Sequence, residues 1–138
     1  MHILWWNKYS IPVLQVIQVP LFMRNILDNG RVKPVVNQIR VHIGHVPAEL
    51  IEFCMQNGIQ VEAYSPNATG RLAKVPEICE MAARYGVSVP QLASRFVLQL
   101  GLLPLPKSVH EERIRQNADL DFEIGIGDMS SLLQMRLD

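Results

Sequence analysis

Apolar residues follow two different spacings along this chain. Short runs rich in β-branched residues predict strands, and segments with apolar positions three or four residues apart predict helices. The predicted strands cover 11–19, 34–41, 59–65 and 102–106. The predicted helices cover 21–29, 47–57, 75–85, 90–100 and 109–117, with a last one within 127–137. Strands and helices therefore alternate along most of the sequence.

The ends of these elements carry residues that stop regular structure. Pro20 and Pro66 close two predicted strands, and Ser88 is placed to cap the helix that begins at Pro90. Glycines end four predicted helices, at Gly30, Gly58, Gly86 and Gly101. Strands joined through helices imply right-handed crossovers and a parallel sheet. We predict a single α/β domain over residues 1–138, whose first residues differ in composition from the rest.

The charge balance and the cysteines narrow the class of protein. Thirteen Lys and Arg balance thirteen Asp and Glu, so no net field attracts nucleic acid or an anionic membrane surface. No apolar run reaches the roughly 18 to 20 residues of a membrane span, and the start lacks a signal-peptide pattern. Cys54 and Cys79 fall in apolar helical patterns, which favours buried free thiols in a reducing compartment. We expect a soluble, cytoplasmic protein whose function depends on a local site.

The stretch 103–117 contains the clearest candidate site. Lys107 and Ser108 follow a predicted strand, just before a helix whose free N–H groups and dipole favour an anion. Arg113 and Asn117 are four residues apart and share one face of that helix. A point charge, a hydroxyl, a planar guanidinium and an amide together suit a phosphate beside a nucleotide base. The alternative is that Lys107 and Arg113 are solvated charges around an ordinary turn.

Three strand ends carry motifs in a distinctive order: Asn37-Gln38, then Ala63-Tyr-Ser-Pro66, then Pro106-Lys-Ser108. The sequence around and between these motifs includes Val32-Lys-Pro-Val-Val-Asn-Gln-Ile-Arg40, Ala83-Arg-Tyr-Gly86 and Ala93-Ser-Arg-Phe-Val-Leu-Gln99. Over about residues 21–131 the sequence resembles the second half of an aldo-keto reductase, an NADPH-dependent family built on a (β/α)8 barrel. The chain is far shorter than the roughly 250 residues of such a barrel. The resemblance therefore implies a half barrel, a partial (β/α)8 TIM barrel with about four parallel strands, and leaves residues 1–20 atypical.

The resemblance implies where the nicotinamide half of NADP(H) would lie. Tyr64 would stack on the nicotinamide ring, and Gln38, at the end of its strand, would hydrogen-bond the carboxamide of that ring. A loop of mostly small residues would bring backbone N–H groups to the pyrophosphate. The residues implied for this contact are Ser65, Thr69, Gly70 and Leu72.

The same resemblance gives the stretch 103–117 a specific role. Lys107, Ser108 and Arg113 would bind the 2′-phosphate of the adenosine ribose, which distinguishes NADPH from NADH. Gln116 and Asn117 would face the adenine. We call these five residues the adenosine clamp. With the other motifs present, the resemblance favours the clamp over solvated surface charges.

The sequence also departs from the family pattern. The family's catalytic Asp, Tyr, Lys and His come from the first half of the barrel, and Tyr9 is the only tyrosine here before Tyr64. No catalytic proton donor is assigned. The family's Ser and Asn that also hold the carboxamide have no counterpart in residues 14–19. Asn67 and Ala68 replace the Leu-Gly that commonly follows the Tyr-Ser-Pro motif.

Other residues in the sequence carry weaker signals for chemistry. His42 and His45, with Glu49 and Glu52 nearby, lie outside a regular helix and have no third ligand forced close, so we predict no metal site. Arg71 and Lys74 are either phosphate contacts or loop charges. Arg95 lies among apolar residues of its helix, which favours a structural salt bridge or a carbonyl contact.

Three functions remain in view. The first is an NADP(H)-dependent oxidoreductase that reduces carbonyls by hydride transfer, present here as a truncated cofactor-binding half. The second is a catalytically inactive NADP(H)-binding module, and the third is a degenerate remnant with an interaction role. A small carbonyl substrate is expected only if a complete barrel forms. A half barrel leaves two sheet edges and an apolar inner face open, so we expect a second copy or a partner chain to cover them.

Overall fold

The computed structural model describes residues 5–6, 12–15 and 20–137, and its centre is one five-stranded sheet in the order β1-β2-β3-β4-β5. Strands β2 to β5 are parallel, and β1 is antiparallel to β2. The strands are β1 Trp5–Trp6, β2 Pro12–Gln15, β3 Val36–Arg40, β4 Gln60–Tyr64 and β5 Leu103–Leu105. The four predicted parallel strands are confirmed. The rest of the first predicted strand, residues 11 and 16–19, lies outside the described residues.

Six α-helices lie within residues 20–137. They are α1 Pro20–Asn29, α2 Ala48–Gln56, α3 Pro76–Arg84, α4 Val89–Gln99, α5 Glu111–Ala118 and α6 Ile126–Gln134. Each matches a predicted helix with ends shifted by a few residues. The predicted cap is confirmed, because Ser88 Oγ accepts from the Gln91 N–H at 3.3 Å while Gln91 Oε1 accepts from the Ser88 N–H at 3.0 Å. None of these helices is long and apolar enough to span a membrane.

The sheet has two open edges, as the half barrel implies, and a short additional strand forms one of them. Trp5 pairs with Val13, so the short β1 covers the free edge of β2. Within the described part of the chain, β1 and β5 are the two edge strands, and each has one side without a strand partner. Pro104, in the middle of β5, has no N–H to offer a further strand, which is typical of an edge.

The two faces of the sheet have different surroundings. Ile39, Val61 and Ala63 are buried on the face that the helices cover, where α4 contributes the fully buried Phe96. Burial of this face supplies the hydrophobic stabilisation of the domain. The opposite face corresponds to the inside of a barrel, and the residues on it are all at least partly exposed. They are Gln38, Arg40, Glu62, Tyr64, Leu103 and Leu105. This face is mixed in character, whereas an apolar one was expected.

Side-chain bonds from α4 fix the position of α5. Arg95 Nη1 donates to the Leu120 carbonyl at 3.1 Å, and Gln91 Nε2 donates to the Asp119 carbonyl at 2.9 Å. Both carbonyls follow α5 directly, so α5 is tied to the core helix that precedes β5. The predicted carbonyl contact of Arg95 is confirmed.

The segment after β4 contains a series of left-handed backbone conformations. Ser65, Ala68 and Thr69 have φ values of 57°, 47° and 54°, and Gly70 has a φ of 84°. Left-handed φ costs an L-residue roughly 1–2 kcal/mol. Ala68, Thr69 and Gly70 form the kinked start of a 3₁₀ segment, Ala68–Lys74, which is anchored by the fully buried Leu72. The loop therefore holds a strained shape between two fixed ends.

We expect Gly70→Ala to lower the free energy of unfolding by about 1 kcal/mol. The left-handed φ penalises alanine, and the smaller entropy of the unfolded chain offsets only part of that cost. No atom lies within 4 Å of the added Cβ, so a clash makes no contribution. Urea denaturation followed by circular dichroism measures the change.

Gly127→Ala is the matched control, since Gly127 lies in α6 without a left-handed φ and also has open space at its Cβ. It should stabilise the chain by up to about 1 kcal/mol. A Gly70→Ala chain as stable as the wild type would contradict the strained-loop interpretation.

Candidate functional site

A cavity of about 490 Å³ lies beyond the end of β5, between that strand and α5. All five residues of the adenosine clamp line it. Its full lining is Asn67, Ser88, Pro90, Lys107, Ser108, Val109, His110, Arg113, Gln116 and Asn117. The structure therefore brings together residues that the sequence separates by up to ten positions.

The turn before α5 shapes one wall of this cavity. After β5 and Pro106, Ser108 Oγ accepts a hydrogen bond from the His110 N–H at 3.1 Å, which fixes the turn. No side chain caps the N-terminus of α5, so its first N–H groups lack a side-chain acceptor among the described residues. This end of the helix dipole favours an anion.

The two arginines of α5 lie in different surroundings, one at the cavity and one in a surface salt bridge. Arg113, Gln116 and Asn117 line the cavity, as their three- and four-residue spacing predicts. Arg115 lies outside the lining and pairs with Glu111 at 2.8 Å. Neither Lys107 nor Arg113 has a carboxylate within salt-bridge distance in the part of the chain that the structure describes. Two uncompensated cations at one cavity create a local positive field in a chain of zero net charge.

Gln38 and Tyr64 lie apart from the clamp, on the open face of the sheet. Gln38 is the third of five residues in β3, so its expected place at the end of the strand is wrong, and Arg40 ends the strand instead. Tyr64 is the last residue of β4 and pairs with Arg40. Gln38 Nε2 donates to Glu62 Oε2 at 3.0 Å. This face presents amide, carboxylate and phenol groups beside one another.

The loop residues proposed for the pyrophosphate take different positions. Ser65, Thr69 and Gly70 belong to the left-handed segment after β4. Leu72 is fully buried, so its side chain belongs to the core and only its backbone remains for a ligand. None of these four residues lines the clamp cavity.

Asn67 is a cavity residue to which the sequence assigned no binding role. It lines the clamp cavity, and its Oδ1 is buried and accepts no hydrogen bond from any described residue. Ser88, Pro90, Val109 and His110 also line the cavity without having been assigned to it. Asn67 shares the cavity with Val109 and His110 because β4 and β5 are neighbours in the sheet, whereas Ser88 and Pro90 come from the start of α4.

The remaining candidate residues take no part in the cavity. The His42 and His45 rings are 5.5 Å apart, and burial lowers the pKa of His42. No group of three or more His, Cys, Asp or Glu within the described part of the chain is arranged to hold a metal. Both cysteines are free. Cys54 is buried as expected, but Cys79 is half-buried because it lies at the edge of the apolar face of α3.

The chain matches proteins of one family over most of its length. The sequence model of the Aldo/keto reductase family matches residues 15–133. A glyoxal reductase of Bacillus subtilis is 36% identical over 117 residues, which cover 84% of this chain and 42% of the relative. Aldehyde reductase YPR1 of Saccharomyces cerevisiae is 44% identical over 91 residues, covering 64% of this chain and 29% of the relative.

Solved structures give the same result. An aldo-keto reductase from a deep-sea metagenome library matches with a TM-score of 0.80 at 28% identity, over 89% of this chain and 45% of that protein. A point mutant of Gox0644, solved in complex with NADPH, matches with a TM-score of 0.78 at 33% identity, over 83% of this chain and 43% of that protein.

The extent of these matches agrees with the half barrel predicted from the sequence. The chain spans about 40% of the length of the first curated relatives it matches, and 45% and 43% of the two solved proteins above. Its four parallel strands and their helices correspond to about half of a (β/α)8 barrel. The chain belongs to the aldo/keto reductase family.

Proposed function

We propose that this chain is the NADP(H)-binding half of an aldo-keto reductase, in which the adenosine clamp grips the 2′-phosphate and the adenine. The observation that carries the proposal is that all five clamp residues line one cavity. A relative solved with NADPH and a Bombyx mori relative solved with NADP support the choice of cofactor.

The donor set of the cavity fits a phosphate monoester. Such a group carries about −1.5 to −2 charges near neutral pH and three acceptor oxygens. Lys107 and Arg113 supply charge, and Ser108 supplies a hydroxyl. The volume of about 490 Å³ lies within the range of about 300–1,000 Å³ of small-molecule sites. The side-chain amides of Gln116 and Asn117 suit the hydrogen-bonding edge of a purine.

The chemistry needs more than this clamp. NADPH, when bound, supplies a hydride for an aldehyde or ketone, and the residues of this chain bind and orient the cofactor. Carbonyl reduction also needs an acid within hydrogen-bond reach of the carbonyl oxygen, and no residue of this chain is assigned that role. We therefore propose oxidoreductase activity for a complete barrel and cofactor binding for this chain alone. A reducing compartment, the cytoplasm, suits its two free cysteines.

A catalytically inactive NADP(H)-binding module is the second candidate. Two observations favour it: the clamp residues line one cavity, and no residue of the chain is assigned as the proton donor. A degenerate remnant with an interaction role is the third, and it would require that the clamp residues bind no nucleotide.

We further propose that a second copy of the chain or a partner chain covers the open sheet face. Leu103 and Leu105 are 45% and 38% exposed there, next to the unpaired edge of β5. Covering the face would remove this apolar surface from water and pair the edge. A small carbonyl substrate is proposed only for such a closed assembly.

We expect Lys107→Ala combined with Arg113→Ala to weaken NADP⁺ binding by roughly ten- to a hundred-fold, because two charge-assisted phosphate contacts are lost. NAD⁺, which lacks the 2′-phosphate, should bind the wild type and the variant within about threefold of each other. Isothermal titration calorimetry measures both.

Arg115→Ala is the control for the clamp experiment, since Arg115 lies on the same helix, has an exposed salt bridge and does not line the cavity. It should bind NADP⁺ like the wild type. Failure of the wild type to bind NADP⁺, or an equal loss in Arg115→Ala, would contradict the clamp.

We expect the purified chain alone to oxidise no NADPH above background with 4-nitrobenzaldehyde, because it supplies no assigned acid. Absorbance at the reduced-nicotinamide band measures the rate. Turnover in proportion to protein concentration would contradict this prediction and the inactive module alike.

We expect light scattering after size-exclusion chromatography to give a mass above the 15.7 kDa of one chain. Leu105→Arg should lower that mass, because a charge on the open face opposes its burial. Leu133→Arg, which replaces a similarly exposed leucine of α6, should leave it unchanged. A wild-type monomer that binds no partner chain would rule out closure of the face.

A further inference from the structure

We infer that Glu62 is a positioning residue, which fixes the direction in which the Gln38 amide faces a bound nicotinamide carboxamide. The inference rests on the proposed NADP(H) function. It assigns a role to a carboxylate for which neither the sequence motifs nor the clamp accounts.

The sheet register places these two side chains together. Gln38 of β3 pairs with Glu62 of β4, and paired residues of parallel strands project to the same face. Gln38 Nε2 donates to Glu62 Oε2 at 3.0 Å, and both residues are half-buried on the open face. Tyr64 lies on that face two residues further along β4. The pair therefore lies beside the residue proposed to stack on the nicotinamide ring.

The chemistry of a carboxylate makes this hydrogen bond directional. An ionised carboxylate only accepts hydrogen bonds, whereas an amide carries donors at one end and an acceptor at the other. Only the Nε2 end of Gln38 can therefore face Glu62. The Oε1 end of Gln38 is left to face a ligand, and it can only accept.

This direction has a consequence for the ligand. A carboxamide NH₂ on the nicotinamide ring can donate to Gln38 Oε1, whereas an acetyl group in its place offers a methyl group and no donor. The site should therefore prefer NADP⁺ to its 3-acetylpyridine analogue. A fixed amide also loses less side-chain entropy on binding than a mobile one.

Glu62→Gln tests the direction of the amide, since a glutamine at position 62 can accept from Gln38 or donate to it. We expect the wild type to prefer NADP⁺ over the 3-acetylpyridine analogue by roughly three- to tenfold, the effect of one hydrogen bond. In Glu62→Gln that preference should fall to about half or less. Affinity for adenosine 2′,5′-bisphosphate, which has no nicotinamide, should not change. Calorimetry measures all three ligands.

The chain offers a matched control for this substitution. Gln56 Nε2 donates to Glu52 Oε1 at 3.1 Å on the exposed surface of α2, so Glu52→Gln alters the same kind of pair away from the sheet. It should leave the preference unchanged. Without any ligand, the side-chain amide resonances of Gln38 should move in Glu62→Gln and stay in place in Glu52→Gln.

A second variant keeps the test valid if Glu62→Gln disturbs the sheet. Gln38→Met removes the amide and should abolish the preference, and adding Glu62→Gln to it should then have no further effect on the ratio. A purely structural role for Glu62 would lower the affinities for both dinucleotides equally in every background.

Different results would contradict the role of Glu62 and the proposed NADP(H) function. An unchanged preference in Glu62→Gln, with tight NADP⁺ and bisphosphate binding, overturns the role of Glu62 and leaves the proposed function standing. A wild type that binds neither the bisphosphate nor NADP⁺ overturns both.

Discussion

The parallel pairing of β3, β4 and β5 is the constraint on which the candidate site depends. Parallel strands bring their carboxyl ends to one edge of the sheet, so the segments after β4 and β5 meet although about forty residues separate them. Asn67 from the first segment and Lys107 from the second line the same cavity for this reason. The ties from α4 to the carbonyls after α5 then hold the far wall in place. Without that pairing, the segment after β4 that carries Asn67 would not lie beside the clamp.

The proposed cofactor site has two parts, the adenosine clamp and the nicotinamide residues on the open sheet face, and only the clamp is formed entirely by this chain. The adenosine clamp is built from one turn and one helix, and the loop after β4 adds to the lining of its cavity, all within this chain. The proposed nicotinamide residues lie on the open sheet face, and the chain covers only 45% and 43% of the two solved relatives. Cofactor selectivity and hydride chemistry are therefore assigned to different parts of the structure. We propose that a chain of this extent recognises NADP(H) and that catalysis depends on what closes the open face.

Most of the helices and strands, and the five clamp residues, could be predicted from the sequence, because the patterns that indicate them involve residues close together in the chain. The spacing of Arg113 and Asn117 on one helix, the cap at Ser88 and the strand runs all depend on near neighbours. The features that sequence reasoning missed depend on pairing between distant segments. A two-residue strand such as β1 has too few positions to show alternation, and the contact of Gln38 with Glu62 follows from the β3–β4 register. Asn67 enters the cavity only because β4 and β5 are adjacent.

The central claim is that this chain alone recognises the 2′-phosphate and adenine of NADP(H). The most direct measurement is a titration of the isotopically labelled 138-residue chain with adenosine 2′,5′-bisphosphate, followed by two-dimensional NMR. The structure predicts saturable shifts concentrated in residues 107–117 and at Asn67, with the amides of α2 unchanged. An absence of saturable shifts, or shifts confined to residues away from this cavity, would contradict it.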